Sequence, residues 1–451
     1  MLEYLLAILM SINKAILEGG YEPGKFEADI YKMWEKSGYF NPDNLPVNKN
    51  GPGSRSEVFS LVVPPPNVTG TLHMGHAAML AIEDTLVRFE RMRGKSTLWI
   101  PGTDSASIAT QSKVEKDLMR LEKKTRHDLG RVEFLKRVEA FALDSKATII
   151  SQFKSMGASL DWSREAFTLD EKRYTAVTEA FVRMYEDGLI YRGHRIVNWD
   201  PKGQTTISDD EVNYKEEKTK FYYLKYGPFT IGTARPETKF GDKYVVMHPE
   251  DERYLQYEHG QTLTVEWING PIEATIIKDE SIDKEFGTGV MTITPWHSKV
   301  DFELAQKYNL NYEQIIDKYG KLLPIAGEFA GEKINTAREK IVEKLAAKGL
   351  VEKIEDYTHN IATAERTDGI IEPQIMEQWF IDVNRKFTVK KSTIEGINVG
   401  DEKSLKEMML KVVENGQIQI NPERFNKTYF NWVNNLHDWC ISRQIWFGHR
   451  I

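Results

Sequence analysis

The sequence predicts an α/β fold in which a parallel-sheet domain is interrupted by a β-rich insertion and then resumes. Three observations carry that prediction. Between residues 58 and 100 an apolar strand, a long helical pattern and a second apolar strand follow one another, the order of a parallel βαβ unit. From Lys218 to Thr294 the composition shifts to Tyr, Val, Ile and Thr, broken by glycines and by Asn269-Gly270, which reads as hairpin-rich β structure. After about His359 helical and aromatic segments return. With 451 residues, 41% of them hydrophobic and 28% charged, the chain has material for two or three globular domains.

Residues 1–56 read as an arm and a loop. The run Leu5–Met10 is too short to span a membrane, and Glu3 stands where a signal peptide would carry a basic flank, so it reads as an extra helical turn with Met10 as an alternative start. Phe26, Ile30, Trp34 and Tyr39 recur at near-helical spacing, and Asn41–Ser56 is rich in Pro, Gly, Asn and Ser. Residues 57–212 form the first half of the parallel-sheet domain. It opens with a strand over 58–63 and a helix over 74–93 that ends in Arg88, Arg91 and Arg93 before Gly94. A strand over 96–100 follows, closed by Pro101-Gly102. Helical patterns over 129–156 and 170–187 come next; Asp170 is placed to cap the second and Gly188 to end it. Leu189–Trp199 returns to strand. Residues 213–360 form the β-rich insertion, with helices near 300–308 and 336–348, the latter closed by Gly349. Residues 361–451 resume the first domain, with a helix near 403–415.

Composition narrows the function. A net charge of -7 argues against a nonspecific nucleic-acid binder, DNA included, while leaving room for a specific RNA. The mixed run Lys113, Lys116, Arg120, Lys123 and Lys124 reads first as a solvated helix face. Cys440 is the single cysteine, so the chain holds no disulfide and no cysteine-pair zinc site; no zinc and no other resident metal are expected, and a reducing cytoplasm suits it. No run reaches membrane-spanning length, and no membrane partner is expected.

The most informative stretch is Pro64-Pro65-Pro66-Asn67-Val68-Thr69-Gly70-Thr71-Leu72-His73-Met74-Gly75-His76. It leaves a predicted strand and enters a predicted helix. A helix start offers unpaired backbone N–H groups and the positive end of the dipole, which suits a phosphate. His73 and His76 add imidazole hydrogen bonds at that spot, and Gly75 leaves the turn bare. Asp104, just past the second strand in Gly102-Thr103-Asp104, lies where ligands bind in parallel sheets and could hold an ammonium group; a helix cap is an equal reading of that residue alone. In the insertion, Thr233-Ala234-Arg235-Pro236-Glu237-Thr238 gathers hydroxyls and a guanidinium that can grip a ribose, a phosphate or an ester carbonyl. Asp301 falls on the first turn of a predicted helix.

The Pro64–His76 stretch resembles the His-x-Gly-His signature of class I aminoacyl-tRNA synthetases, in the form seen in valyl enzymes. Further segments are similar to that family in the same order. They are Gly102-Thr103-Asp104, Asn198-Trp199-Asp200-Pro201, Ile207–Val212, Thr233–Thr238, Gly287-Thr288-Gly289, Thr294-Pro295-Trp296-His297 with Asp301-Phe302-Glu303, and Asp438–Ile451. The resemblance implies a Rossmann-type catalytic domain split by an editing domain, with ATP and its Mg²⁺, valine and tRNA(Val) as partners, and a monomer as the expected state. It places ATP on His73, Gly75 and His76, with Pro66, Asn67, Val68, Thr69, Gly70, Thr71, Leu72 and Met74 completing the motif. It places the amino acid on Pro64, Pro65, Asn67 and Asp104, the last holding its amino group. It places editing of threonyl-tRNA(Val) on Thr233, Arg235, Thr238, Thr294 and Asp301, the last taking the ammonium of the misacylated amino acid.

The chain departs from the family pattern at Ser105-Ala106-Ser107, where His-Ala-Gly is frequent, at Thr292, often Lys, and at Ser298, often Asp. The family's Lys-Met-Ser-Lys-Ser loop is not found, and Lys390-Lys391-Ser392 precedes the Trp439–Gln444 motif instead of following it. The expectation is therefore an N-terminal portion of a valine-specific enzyme, with weak or no aminoacylation on its own and a separable editing activity. An isoleucyl-type synthetase, a truncated tRNA-binding or editing paralogue, and a nucleotidyltransferase outside the synthetases are the alternatives; the insertion counts against the last.

Overall fold

A computed structural model describes residues 21–45 and 57–451. The run Leu5–Met10, the alternative start at Met10 and most of the Asn41–Ser56 loop lie outside the described residues. The chain forms two compact units, Met1–Thr178 with Trp446–Arg450, and Glu179–Ile445.

The first unit begins with α1 (Pro23–Ser37), which Gly38 ends in a left-handed conformation, φ 71°. Its buried residue is Tyr31, whose hydroxyl donates to the Ala158 carbonyl (2.8 Å) and accepts from Trp162 Nε1 (2.7 Å); Phe26, Ile30 and Tyr39 are exposed. Then come β1 (Val58–Val62), α2 (Met74–Met92), β2 (Ser96–Ile100), β3 (Gly102–Thr103), α3 (Ser107–Glu122), α4 (Arg126–Leu129), α5 (Arg131–Ser155), β4 (Ala166–Phe167) and α6 (Glu171–Glu186), within which the chain leaves this unit. β1 and β2 pair in parallel from Val58↔Ser96 to Val62↔Ile100, so the predicted βαβ unit is present; β3 and β4 are also parallel. The predicted 129–156 helix begins two residues later, because Gly130, at φ 75° and ψ 161°, separates it from the short α4. Asp170 accepts the Arg173 N–H at 3.0 Å, as a cap should.

Apolar faces of α2, α3 and α5 close over β1 and β2 to bury Val63, Leu80, Val87, Trp99, Phe134 and Phe153, with Phe447 joining from the far end of the chain. Trp99 is fully buried, and its indole N–H finds Glu83 Oε2 on α2 (3.2 Å), which ties the helix to the second strand.

The second unit contains β5 (Ile190–Asp200), β6 (Thr205–Ile207), β7 (Val212–Tyr226), β8 (Phe229–Thr233), β9 (Tyr244–Met247), β10 (Thr262–Trp267), β11 (Gly270–Lys278), β12 (Val290–Thr292), α7 (Lys299–Lys307) and α8 (Ile334–Ala347). It continues with β13 (Val351–Ala364), β14 (Glu372–Ile381), β15 (Phe387–Thr388), β16 (Glu402–Lys403), α9 (Leu405–Glu414), α10 (Asn426–Asn434) and β17 (Trp439–Cys440). β7 and β13 form a long antiparallel ribbon, with β8 on the other side of β7. A second sheet runs β10-β11-β9-β12 and a third β17-β14-β5-β6. The Asn269-Gly270 signal does mark a hairpin: Trp267 pairs with Gly270, leaving Ile268 and Asn269 as the turn. The main core of this unit lies between these strands and α8, around Tyr226, Ile231, Met247, Trp267, Ile276 and Ile341.

Candidate functional site

The first candidate site grows out of the end of β1. Val63 N–H still donates to the Ile100 carbonyl (3.1 Å), but Pro64, Pro65 and Pro66 have no N–H to continue the ladder, and the chain peels away. It meets the chain beyond β3 instead. Asp104 N–H donates to the Pro66 carbonyl and Val68 N–H to the Asp104 carbonyl, both at 2.9 Å, in a parallel bridge between Asn67 and Asp104. The predicted amino-acid pocket residues Pro64, Pro65, Asn67 and Asp104 are thus brought together. Asp104 Oδ1 accepts from Thr168 Oγ1 (2.8 Å) and Ala106 N–H (3.1 Å). Asp104 Oδ1 thus ties the turn before α3, while Oδ2 takes no hydrogen bond among the described residues. Thr168 is a partner that sequence reading missed; no local signal links it to a residue 64 positions away.

Within the Pro66–Met74 motif the roles divide by burial. Val68 is fully buried and Pro66 is buried, so these anchor the loop to the core. Thr71 and Met74 are exposed, while Asn67, Thr69, Gly70 and Leu72 are half-buried. Leu72 N–H is held by Gln152 Oε1 on α5 (2.8 Å), fixing the approach to the helix.

The two histidines cap α2 with each other. His73 is the N-cap, and its Nδ1 accepts the Gly75 N–H (3.1 Å); His76 Nδ1 accepts the His73 N–H (3.2 Å). Their ring centroids stand 3.9 Å apart. A ring nitrogen that accepts from an amide must carry a lone pair, so this network assigns the proton of each neutral ring to Nε2. Burial, and then the neighbouring His73, hold the His76 pKa below the usual imidazole value. The helix start therefore presents two Nε2–H donors beside its free backbone N–H groups, a set suited to phosphate oxygens. A Cβ at Gly75 would stand 3.0 Å from His73 Cε1, so its bareness makes room for the His73 ring.

The second candidate site lies wholly in the second unit, where β8 ends and a 3₁₀ turn, Pro236–Gly241, begins. Thr233 Oγ1 accepts the Arg235 N–H (3.0 Å), and Thr238 Oγ1 donates to the Arg235 carbonyl (2.9 Å), so the two threonines brace the loop. Arg235 donates through Nη2 to Glu372 (2.6 Å) and through Nε to Glu237 (3.2 Å). Arg338 of α8 forks onto the same Glu237 at 2.8 and 3.0 Å. Glu237 is fully buried and Glu372 nearly so. Burial alone would raise the Glu372 pKa, but the Arg235 charge and His297 bring it below the usual value; burial likewise opposes the Arg235 charge, and the two carboxylates outweigh it. Two guanidinium groups thus neutralise two carboxylates. Arg235 Nη1 takes no hydrogen-bond partner among the described residues.

His297 locks this network to β14. Its Nε2 accepts both the Ile315 and Ile316 N–H groups (3.1 Å each), and its Nδ1 lies 3.1 Å from the Pro373 carbonyl and from Glu372 Oε1. Thr294 donates its hydroxyl to Asp242 Oδ1 (3.0 Å) and its N–H to Asp301 Oδ2 (2.7 Å), while Ser298 caps α7 by accepting the Asp301 N–H (3.4 Å). Burial raises the pKa of Asp301, against the Thr294 N–H and the Lys239 charge. Asp242, Lys239 and Glu372 belong to this site and were missed in the sequence. Asp242, four residues past Thr238, was within reach of a longer motif; Glu372 was not.

The remaining motifs fit one another. Arg443 donates to Ser208 Oγ (2.8 Å) and Glu211 (3.1 Å), and Gln444 Oε1 accepts the Thr206 N–H (3.0 Å). The Ile207–Val212 and Trp439–Gln444 segments are thus two halves of one structural joint.

The family model of tRNA synthetases class I (I, L, M and V) matches residues 29–451, and the chain belongs to that family. Within it, the chain is 42% identical over 443 residues to a valine–tRNA ligase of Thermotoga maritima, covering 97% of this chain and 48% of that protein. It is 44% identical over 437 residues to the valine–tRNA ligase of Carboxydothermus hydrogenoformans, covering 96% and 46%. It is 43% identical over the same length to that of Petrotoga mobilis, again covering 96% and 46%. The chain spans about half the length of these curated relatives. A structural match is the ternary complex of Agrobacterium radiobacter K84 agnB2 LeuRS with tRNA and LeuAMS, at 16% identity and a TM-score of 0.35 over 87% of this chain and 53% of that one.

Proposed function

We propose that this chain is the valine-activating and editing portion of a valine–tRNA ligase. The observation that carries the reading is the His73–His76 cap, which aims two Nε2–H donors from a helix start, in the same unit as the Asn67–Asp104 bridge. Valine would sit with its ammonium on Asp104 and its side chain against Pro64 and Pro65. Its carboxylate attacks the α-phosphorus of ATP, one P–O bond forms as another breaks, and pyrophosphate leaves. His73, His76 and the α2 amides take up the phosphate charge, so the protein contributes position and electrostatics. The valyl group then passes to the terminal adenosine of tRNA(Val). Among the described residues no three His, Cys, Asp or Glu side chains cluster to hold a metal, so Mg²⁺ would arrive with the nucleotide. No helix of the described residues is long and apolar enough to cross a membrane.

An apolar pocket sized for valine rejects threonine poorly, because the two differ by a hydroxyl in place of a methyl. The second site, in the 213–360 insertion, would hydrolyse the threonyl ester that results, with Thr233, Arg235, Thr238, Thr294 and Asp301 around it.

Calorimetric titration of the 451-residue chain with valyl-sulfamoyl-adenosine and its isoleucyl analogue tests the first site. Valyl preference, and a tenfold or greater loss in His73→Ala or Asp104→Ala, is expected. Equal affinity for the isoleucyl analogue, or binding untouched by either substitution, overturns the assignment.

A further inference from the structure

Asp104 is held at its backbone and at one oxygen of its carboxylate, and the holding makes the two oxygens unequal. The backbone is fixed by the exchange with Pro66 and Val68. Oδ1 is fixed by Thr168, the residue that follows β4. Thr103 of β3 pairs with Phe167 of β4, and Thr168 N–H donates to the Thr103 carbonyl (3.2 Å), so the register sets Thr168 beside Asp104. A hydroxyl has one proton to give. The Ser105 N–H donates into Thr168 Oγ1 (2.9 Å), and the Thr168 proton goes to Asp104 Oδ1 (2.8 Å), since a carboxylate accepts. The Ala106 N–H is the second donor to that oxygen (3.1 Å).

The turn around this contact is strained. Ala106 stands in the left-handed region, φ 43° and ψ 41°, where a residue with a Cβ is unfavourable, and its side chain offers α3 no cap. Strained residues persist only where their surroundings over-determine them, and they gather at ligand sites. Here hydroxyls over-determine the turn. Thr168 Oγ1 lies 3.1 Å from Ser105 Oγ, which lies 3.3 Å from Ser107 Oγ, and Thr110 Oγ1 donates to the Ser105 carbonyl (2.6 Å). Ser105 is buried and Thr110 fully so. Positions 105 and 107, where the family frequently carries His and Gly, both supply hydroxyls in this chain.

We propose that Thr168 is a positioning residue for amino-acid binding: with Ser105 it commits Asp104 Oδ1 to the turn and leaves Oδ2 as the carboxylate oxygen offered to the substrate ammonium. This rests on the reading above that Asp104 holds that ammonium. Without the Thr168 hydroxyl, Oδ1 loses a donor and the Ser105 N–H loses its acceptor. Asp104 is then free to turn toward the Ser105 N–H, which competes with the ligand for the same carboxylate. The loss falls on the amino group of the ligand, because no hydrogen bond of Thr168 reaches the His73–His76 helix start among the described residues.

The test is calorimetric titration of the 451-residue chain with valyl-sulfamoyl-adenosine and with its 3-methylbutanoyl counterpart, in which hydrogen replaces the amino group. The wild-type chain should bind the amine-bearing compound about tenfold or more tightly. Thr168→Val, of the same shape, should weaken the valyl compound about tenfold, the scale of a hydrogen bond to a charged group, and leave the 3-methylbutanoyl compound within about twofold. Thr168→Ser, which returns the hydroxyl, should restore the preference for the amine. A merely structural residue would weaken both compounds alike. Thr168→Ala makes the same deletion and keeps the test decisive if Thr168→Val fails to fold. An unchanged preference for the amine in a folded Thr168→Val or Thr168→Ala chain, or an equal loss with both compounds, overturns the role of Thr168 and leaves Asp104 as the ammonium holder. No preference for the amine in the wild-type chain overturns the reading of Asp104, and the role of Thr168 with it.

Discussion

Replacing His297 by alanine should open the second unit locally, and the size of the effect follows from its partners. The ring is 3% exposed, and Nε2 is the sole acceptor for two amides, Ile315 N–H and Ile316 N–H. Truncation leaves both donors buried and unpaired, each costing about 1–3 kcal/mol, and also strips the Pro373 carbonyl of its partner. A combined loss of roughly 3–5 kcal/mol is expected, which at about 1.4 kcal/mol per decade is roughly a 100- to 4,000-fold loss of protection where local opening controls exchange. Hydrogen exchange read on peptides covering residues 312–318 measures this directly, and the readout suits a chain whose global unfolding need not be two-state. His297→Gln should recover part of the protection, because one carbonyl oxygen can accept both amides. Exchange at Ile315 and Ile316 within threefold of wild type in His297→Ala would refute the argument. Since Glu372 also faces Arg235, the same substitution should slow the threonyl-ester hydrolysis proposed for the second site.

Two further outcomes depend on protonation. Asp279, 2% exposed, accepts Lys307 Nζ (2.6 Å), Tyr308 OH (2.8 Å) and the Ser281 N–H (2.8 Å). Burial pushes its pKa up, but these donors outweigh burial and hold it far below the usual carboxylate range. Its stabilisation is therefore complete above the unfolded value of about 3.9 and is lost as pH falls through the folded value. Asp279→Asn should cost about 2 kcal/mol in urea unfolding at neutral pH, with the difference closing in strong acid; equal midpoints at pH 7 would contradict this. For His76 the folded pKa is also lowered, so its contribution is whole above about 6.5 and fades as pH falls, because a protonated ring cannot accept the His73 N–H. Amide exchange at His73 should accelerate below about pH 6.5, for a cap interaction of about 1 kcal/mol, and His76→Ala should abolish that pH dependence.

Much of the first unit was legible because its signals are local. The strand expected over 58–63 is Val58–Val62, the helix expected over 74–93 is Met74–Met92, and the strand at 96–100 is unchanged. Apolar period, prolines and a capping residue all act within one or two turns of the chain. The same locality made the helix start at His73–His76 readable. Sequence did not show that the two rings cap each other, since that depends on the rotamers the helix start imposes.

Helix period marked Phe26, Ile30 and Trp34, yet Tyr31 is the residue that α1 buries, because Ala158 and Trp162 meet it there. Arg235 is neutralised in part by Glu372, 137 residues later, and the Lys239 ammonium finds Thr292, 53 residues later. By itself the sequence determined the opening βαβ unit, the β-rich character of the insertion and the family. Tertiary structure alone decided which charges share a buried space. A backbone period repeats within a few residues, whereas a charge removed from water must be answered by whatever the folded chain brings within about 4 Å, from any distance along it.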